Sequence, residues 1–145
     1  MNSGSRWRKY AFTREEMEES TATILILEPD DNLREMMTQS LRGLGYRVII
    51  ASDWMDALSF FQEQRPELML LDVVLPQMNG IDLLRYFKTQ GWLKQTNVIL
   101  ISALGYPEIL QKAKTAGAKD FLVKPFEEDV FLGKVRSSLG EMDSN

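Results

Sequence analysis

The chain has 145 residues, 44% apolar and 26% charged, enough for one ordinary soluble domain with its own core. Its net charge of −4 offers no electrostatic footprint for nucleic acid. With no Cys and no His it has no disulfide, no thiolate nucleophile and no histidine phosphodonor, a composition that fits a cytoplasmic protein.

Residues 1–22 are polar and read as an N-terminal extension outside the core, flexible or locally helical. Arg6, Arg8, Lys9 and Arg14 alternate there with Trp7, Tyr10 and Phe12, and Glu15, Glu16, Glu18 and Glu19 follow. Thr13 and Glu16 have capping-box spacing. The basic and aromatic run could touch a membrane surface or an acidic partner, but a plain extension is the simpler reading. Met1–Ser20 lacks the apolar region of a signal peptide. No apolar stretch approaches the roughly 20 residues that span a bilayer.

From Thr23 the pattern alternates strand and helix five times, defining one domain over 23–140 and a short tail, 141–145. Strands are expected at about 23–27, 46–50, 67–72, 97–102 and 119–123. Helices are expected at about 31–43, 53–64, 80–90, 107–116 and 127–139. Gly45, Gly91 and Gly117 fall where a left-handed helix end is needed, Gly140 ends the fifth helix and Pro66 blocks the second. Strict alternation with short links implies parallel strands and right-handed crossovers.

Leu68-Met69-Leu70-Leu71 reads as a strand buried on both faces, and Asp72 closes it. In open α/β sheets, ligands bind beyond the carboxyl ends of the strands. Other strand ends carry Glu28 and Asp30, Ser102, and Lys124. Acids, a hydroxyl and an ammonium around one aspartate suit a site that handles a phosphoryl group and a cation.

With Glu28-Pro29-Asp30, Asp72 with Pro76 and Gly80, Ser102-Ala103, and Lys124-Pro125-Phe126 in this order and spacing, the chain resembles the receiver domain of bacterial two-component response regulators. The resemblance implies a flavodoxin-like (βα)5 three-layer sandwich with a five-stranded parallel sheet of order 2-1-3-4-5. It implies a signalling module rather than an enzyme, in which Asp72 accepts a phosphoryl group from a histidine kinase or phosphotransfer protein. Ser102 and Lys124 would bind the phosphoryl oxygens. Mg²⁺ would sit on Glu28, Asp30, Asp72 and the backbone carbonyl of Val74.

Pro29 aligns with the family's direct metal-ligating acid and has no side-chain oxygen. Either Glu28 reaches the metal with its extra methylene, or Asp30 swings in, or metal affinity falls; Asp30 could instead cap the first helix. Phosphate would draw Ser102 inward, with Phe121 turning in behind it as the switch aromatic. Val74 and Leu104 would flank the hydrolytic water, and both are apolar, which implies a long-lived phosphorylated state.

The readout surface would be helix four, strand five and helix five. For a homodimer through it, Asp120, Lys134 and Arg136 fit, whereas Val130 and Leu110 stand where charged partners would be. Direct nucleic-acid binding is not expected, and the chain is either a stand-alone regulator or part of a larger one. An alternative is a pseudo-receiver, the same fold used for protein interaction with no phosphate cycle. An enzyme of flavodoxin-like fold fits poorly, because the loop after the first strand is acidic where a nucleotide-binding loop is glycine-rich.

Overall fold

The computed structural model describes residues 6–7 and 21–141. The main sheet contains β1 (Thr23–Leu27), β2 (Arg47–Ile50), β3 (Leu68–Asp72), β4 (Asn97–Ser102) and β5 (Asp120–Val123). The helices between and after them are α1 (Asp31–Gly43), α2 (Trp54–Phe61), α3 (Gly80–Thr89), α4 (Pro107–Ala116) and α5 (Glu128–Ser138). All pairings in the main sheet are parallel, in the order β2-β1-β3-β4-β5 that the family resemblance implies.

Parallel strands need covered faces, and period-2 alternation sorts the side chains between them. Leu25, Leu27, Met69, Leu71, Val98 and Leu100 join one apolar cluster with α2, α3 and α4. Ile24, Ile26, Leu68, Leu70, Ile99 and Ile101 join the other with Met37 and Leu41 of α1 and Phe131 and Val135 of α5. Each such side chain contributes about 1.5–3 kcal/mol by leaving water. The chain changes direction across the sheet at β1 and β3, so β3, which ends in Asp72, lies at the topological switch point.

Local signals act as expected at the helix ends. Gly45, Gly91, Gly117 and Gly140 all have positive φ. Helix α2 is shorter than expected: Asp53 caps it, its side chain accepting from Asp56 N, and the chain turns after Phe61. Pro66 restricts Arg65 to extended backbone, so the last turn before β3 unwinds. A two-residue antiparallel ladder, Val74–Leu75 with Met78–Asn79, was not anticipated. Its turn is Pro76-Gln77, with Gln77 at φ 65°, the arrangement of a type II turn.

The N-terminal extension departs from expectation at one point. Trp7, read as outside the core, is fully buried within the cluster beneath α2. The remaining readings of the extension, including the Thr13–Glu16 capping box, lie outside the described residues, as do residues 142–145.

Candidate functional site

Because the strands are parallel, their carboxyl ends form one edge. Glu28 follows β1, Asp72 and Ser102 end β3 and β4, and Lys124 follows β5. Glu28, Asp72 and Ser102 are buried, and Lys124 is partly so.

Lys124 bridges the two acids. Its Nζ donates to Asp72 Oδ2 at 2.6 Å and to Glu28 Oε2 at 3.2 Å. Glu28 Oε1 lies 3.1 Å from the same nitrogen as an ion-pair contact, but it is buried and has no hydrogen bond. Asp72 Oδ1 accepts from Val74 N at 2.8 Å. Asp30 N donates to Glu28 Oε2 at 3.0 Å, and Arg34 Nη1 donates to the Glu28 carbonyl at 2.9 Å. The Lys124–Pro125 peptide is cis. Gly80 closes the site from behind. Its N donates to Val73 O at 2.7 Å, and a Cβ there would lie 2.2 Å from Asp72 O.

Burial pushes the Glu28 carboxyl up from 4.5 to about 7, and the neighbouring Asp72 carboxylate adds to the rise. The Asp30 amide and Lys124 oppose it without cancelling it. For Lys124, burial works against the ammonium, but hydrogen bonds and charge from Asp72 and Glu28 outweigh it, and its pKa is raised. With both carboxylates ionised, two negative charges share one positive charge.

Two buried carboxylates, one with an unbonded oxygen, and a nearby backbone carbonyl form an oxygen-rich donor set of the kind a hard divalent cation takes. The set is thin. Among the described residues, no three acidic or other ligating side chains gather. Pro29 is exposed. Asp30 is the cap of α1 rather than a member of the cluster: it is exposed and its Oδ1 accepts from Leu33 N at 2.9 Å. The carboxylate has satisfied a free backbone donor at the helix start, the competing role open to it in the sequence.

Ser102 Oγ accepts from Leu104 N at 2.9 Å, a bond that leaves its O–H to donate elsewhere. Val74 and Leu104 are 65% and 43% exposed, so neither is packed away. Phe121 is half-buried against the α2–α4 cluster. On the expected readout surface, Lys134 Nζ donates to Asp120 Oδ1 at 3.0 Å within the chain, while Leu110 and Val130 are exposed. At the carboxyl end of β1, next to Glu28, lies a cavity of about 420 Å³, with Leu27, Pro29, Arg34, Ser52, Trp54 and Pro76 in its walls.

Sequence reasoning missed Arg34 as a support for Glu28 and the double role of Lys124. Arg34 carries only a weak signal, a basic residue in the first turn of α1. The bridging lysine has none, because its reach depends on how close β5 comes to β1 across β3 and β4.

The response regulator receiver domain family model matches residues 24–136. The chain is 34% identical over 130 residues to the DNA-binding response regulator MtrA of Mycobacterium tuberculosis, covering 83% of this chain and 51% of that protein. It is 33% identical over 124 residues to the transcriptional regulatory protein AfsQ1 of Streptomyces coelicolor, covering 84% and 54%. The chain thus spans about half the length of the curated relatives it matches. Its structure is similar to that of the chemotaxis response regulator CheY4 of Vibrio cholerae, with TM-score 0.76, 28% identity, and 82% and 99% of the two chains covered. Family match, relatives and architecture agree, and the chain belongs to the response regulator receiver domains of two-component signalling.

Proposed function

We propose that Asp72 accepts a phosphoryl group from a histidine kinase or phosphotransfer protein, and that the acyl phosphate shifts the surface of α4, β5 and α5. The observation that carries this is the buried Asp72 carboxylate held by Lys124 Nζ at 2.6 Å and by the Val74 amide at 2.8 Å. An Asp72 oxygen attacks phosphorus, the phosphorus–nitrogen bond to the donor imidazole breaks, and the imidazole leaves with the bonding pair. Catalysis in such transfers is largely positioning and charge stabilisation.

Lys124 supplies a mobile point charge that can move from the carboxylates to the incoming phosphoryl oxygens. The Ser102 hydroxyl donates to another of these oxygens, which draws it inward and opens space for Phe121 to follow. Phe121 has no phenol, so the inward state gains burial without a new hydrogen bond. A divalent cation such as Mg²⁺, held by Glu28, Asp72 and the Val74 carbonyl, would offset the repulsion between carboxylate and phosphoryl group. With Pro29 and Asp30 contributing no side-chain oxygen, water and phosphoryl oxygens would complete its shell.

The test is incubation with acetyl phosphate and Mg²⁺, read by intact mass. Wild type should gain one phosphoryl group and Asp72→Asn none. Uptake by the variant at the wild-type rate would remove Asp72 from the role. A folded wild-type protein that takes up nothing would favour a phosphate-independent interaction module instead.

A further inference from the structure

The family match begins at residue 24, yet the core includes a side chain from well before it. Trp7 has no exposed surface. Its ring meets Phe60 edge-on, with centroids 5.1 Å apart and planes at 85°. Its Nε1–H donates to Ser59 Oγ at 3.2 Å. Arg6 forms an ion pair with Asp56, and its guanidinium lies 4.4 Å from the centre of the Trp7 ring. Two adjacent residues therefore grip α2 by burial, by a hydrogen bond and by charge.

Asp56 links this grip to the carboxyl end of the strands. Its Oδ2 accepts from Ser52 N at 2.8 Å and from Ser52 Oγ at 3.0 Å, while its own N donates to Asp53 Oδ1 at 2.8 Å. The carboxylate that Arg6 holds is thus the one that closes the turn from β2 into α2. Ser52, Asp53 and Trp54 line the cavity next to Glu28, together with Pro29, Leu75 and Pro76. The indole N–H of Trp54 is buried without a hydrogen-bond partner, so nothing in this wall anchors that side chain by its polar end. Helix α2 has eight residues, too few to be stable alone, so its position depends on what packs against it.

We propose that Arg6 and Trp7 form a strap outside the family match that clamps α2 and braces the Ser52–Trp54 wall. Attachment of the strap then sets the shape of the cavity next to Glu28. Any donor or ligand that uses this cavity is linked to strap attachment, and the linkage is reciprocal. The inference rests on packing alone and does not require that Asp72 accept a phosphoryl group.

Hydrogen exchange of the full chain tests it, with Trp7→Ala, Trp7→Phe and Arg6→Ala beside wild type. Trp7→Ala should lower Tm by about 10 °C or more. Its amides at 52–61 should exchange about tenfold faster than the uniform change seen across β5 and α5. Trp7→Phe should recover most of the protection. Arg6→Ala leaves the ring in place, so Tm should move by only about 2 °C while exchange at Ser52 and Asp56 rises several-fold. If Trp7→Ala fails to fold, the other two variants decide. Exchange at 52–56 that follows β5 and α5 in every folded variant would reduce Trp7 to ordinary core packing and overturn the proposal.

Discussion

At the amino-terminal end of the strands, polar side chains serve the backbone; at the carboxyl end they face one another. Glu67 Oε1 accepts from Thr23 N at 2.9 Å, Thr96 Oγ1 donates to Pro66 O at 2.6 Å, and Asn97 Nδ2 donates to Ser138 O at 2.6 Å. Each such bond settles one backbone group, and two of the three are between neutral partners. At the other end, Glu28 and Asp72 share a single ammonium, and one Glu28 oxygen has no hydrogen bond. The first arrangement closes the fold. The second keeps an excess of negative charge close together in a buried place, which a cation can relieve. The contrast separates groups that hold the molecule together from groups held ready by it.

Four changes would break or sharpen this contrast. The largest effect is expected from Gly80→Ala. The new Cβ would meet Asp72 O at 2.2 Å and Val73 Cα at 2.9 Å, and backbone atoms cannot move aside cheaply. We expect a loss of about 3 kcal/mol or more, read from the urea midpoint. A near-neutral result would show that the carboxyl end of β3 is more compliant than its geometry indicates.

Glu28→Gln should change how stability depends on pH. The Glu28 carboxyl titrates at about 7 when folded against 4.5 ordinarily, so between these values the folded chain binds more protons than the unfolded one. This group's contribution is fully present below pH 4.5 and is lost as pH rises through 7. The slope is at most about 1.4 kcal/mol per pH unit. Urea midpoints of wild type should show that decline from pH 5 to 8, and Glu28→Gln should flatten it. Parallel curves for the two proteins would contradict the assignment.

The lifetime of the phosphorylated state comes next. Val74 and Leu104 are exposed, and their apolar side chains cannot orient a water. Replacing them together by Asn and Glu should speed loss of the phosphoryl group by about tenfold, or 1.4 kcal/mol, followed by the decay of the phosphorylated mass. Unchanged decay would mean that water approaches along another path.

The smallest effect is expected at the opposite end. Thr96→Val deletes the bond to Pro66 O and should cost about 1 kcal/mol in the urea midpoint. Phosphoryl uptake at Asp72 should be unaffected. A change in uptake would show that the two ends are not independent.

Much of the fold was legible because its signals are local. Runs such as Ile24–Leu27 and Val98–Ile101 are apolar throughout, which only a strand covered on both faces requires. Gly45, Gly91 and Gly117 mark helix ends because few other residues adopt positive φ cheaply. The strand-end positions of Asp72, Ser102 and Lys124 followed from those runs. Helix α2 was harder, since the residues from Gln62 to Arg65 have reasonable helical propensity and the chain turns under Pro66 instead. The Val74–Leu75 ladder was hidden because two-residue strands leave no periodicity.

The sequence by itself determined the alternation of elements, the parallel sheet and which residue types stand at its carboxyl end. Burial pattern and backbone conformation are carried by neighbours in the chain, so they can be read there. Only the tertiary structure decided that Lys124 joins both carboxylates and that Trp7 belongs to the core. Lys124 and Trp7 depend on distances between segments far apart in sequence, whereas the Asp30 cap is a local bond to Leu33 N that the sequence already offered. Trp7 lies in a stretch of opposite local character, and Lys124 acts across the sheet. Where a partner lies across the sheet or far along the chain, folding alone brings it close, and local pattern does not encode that distance.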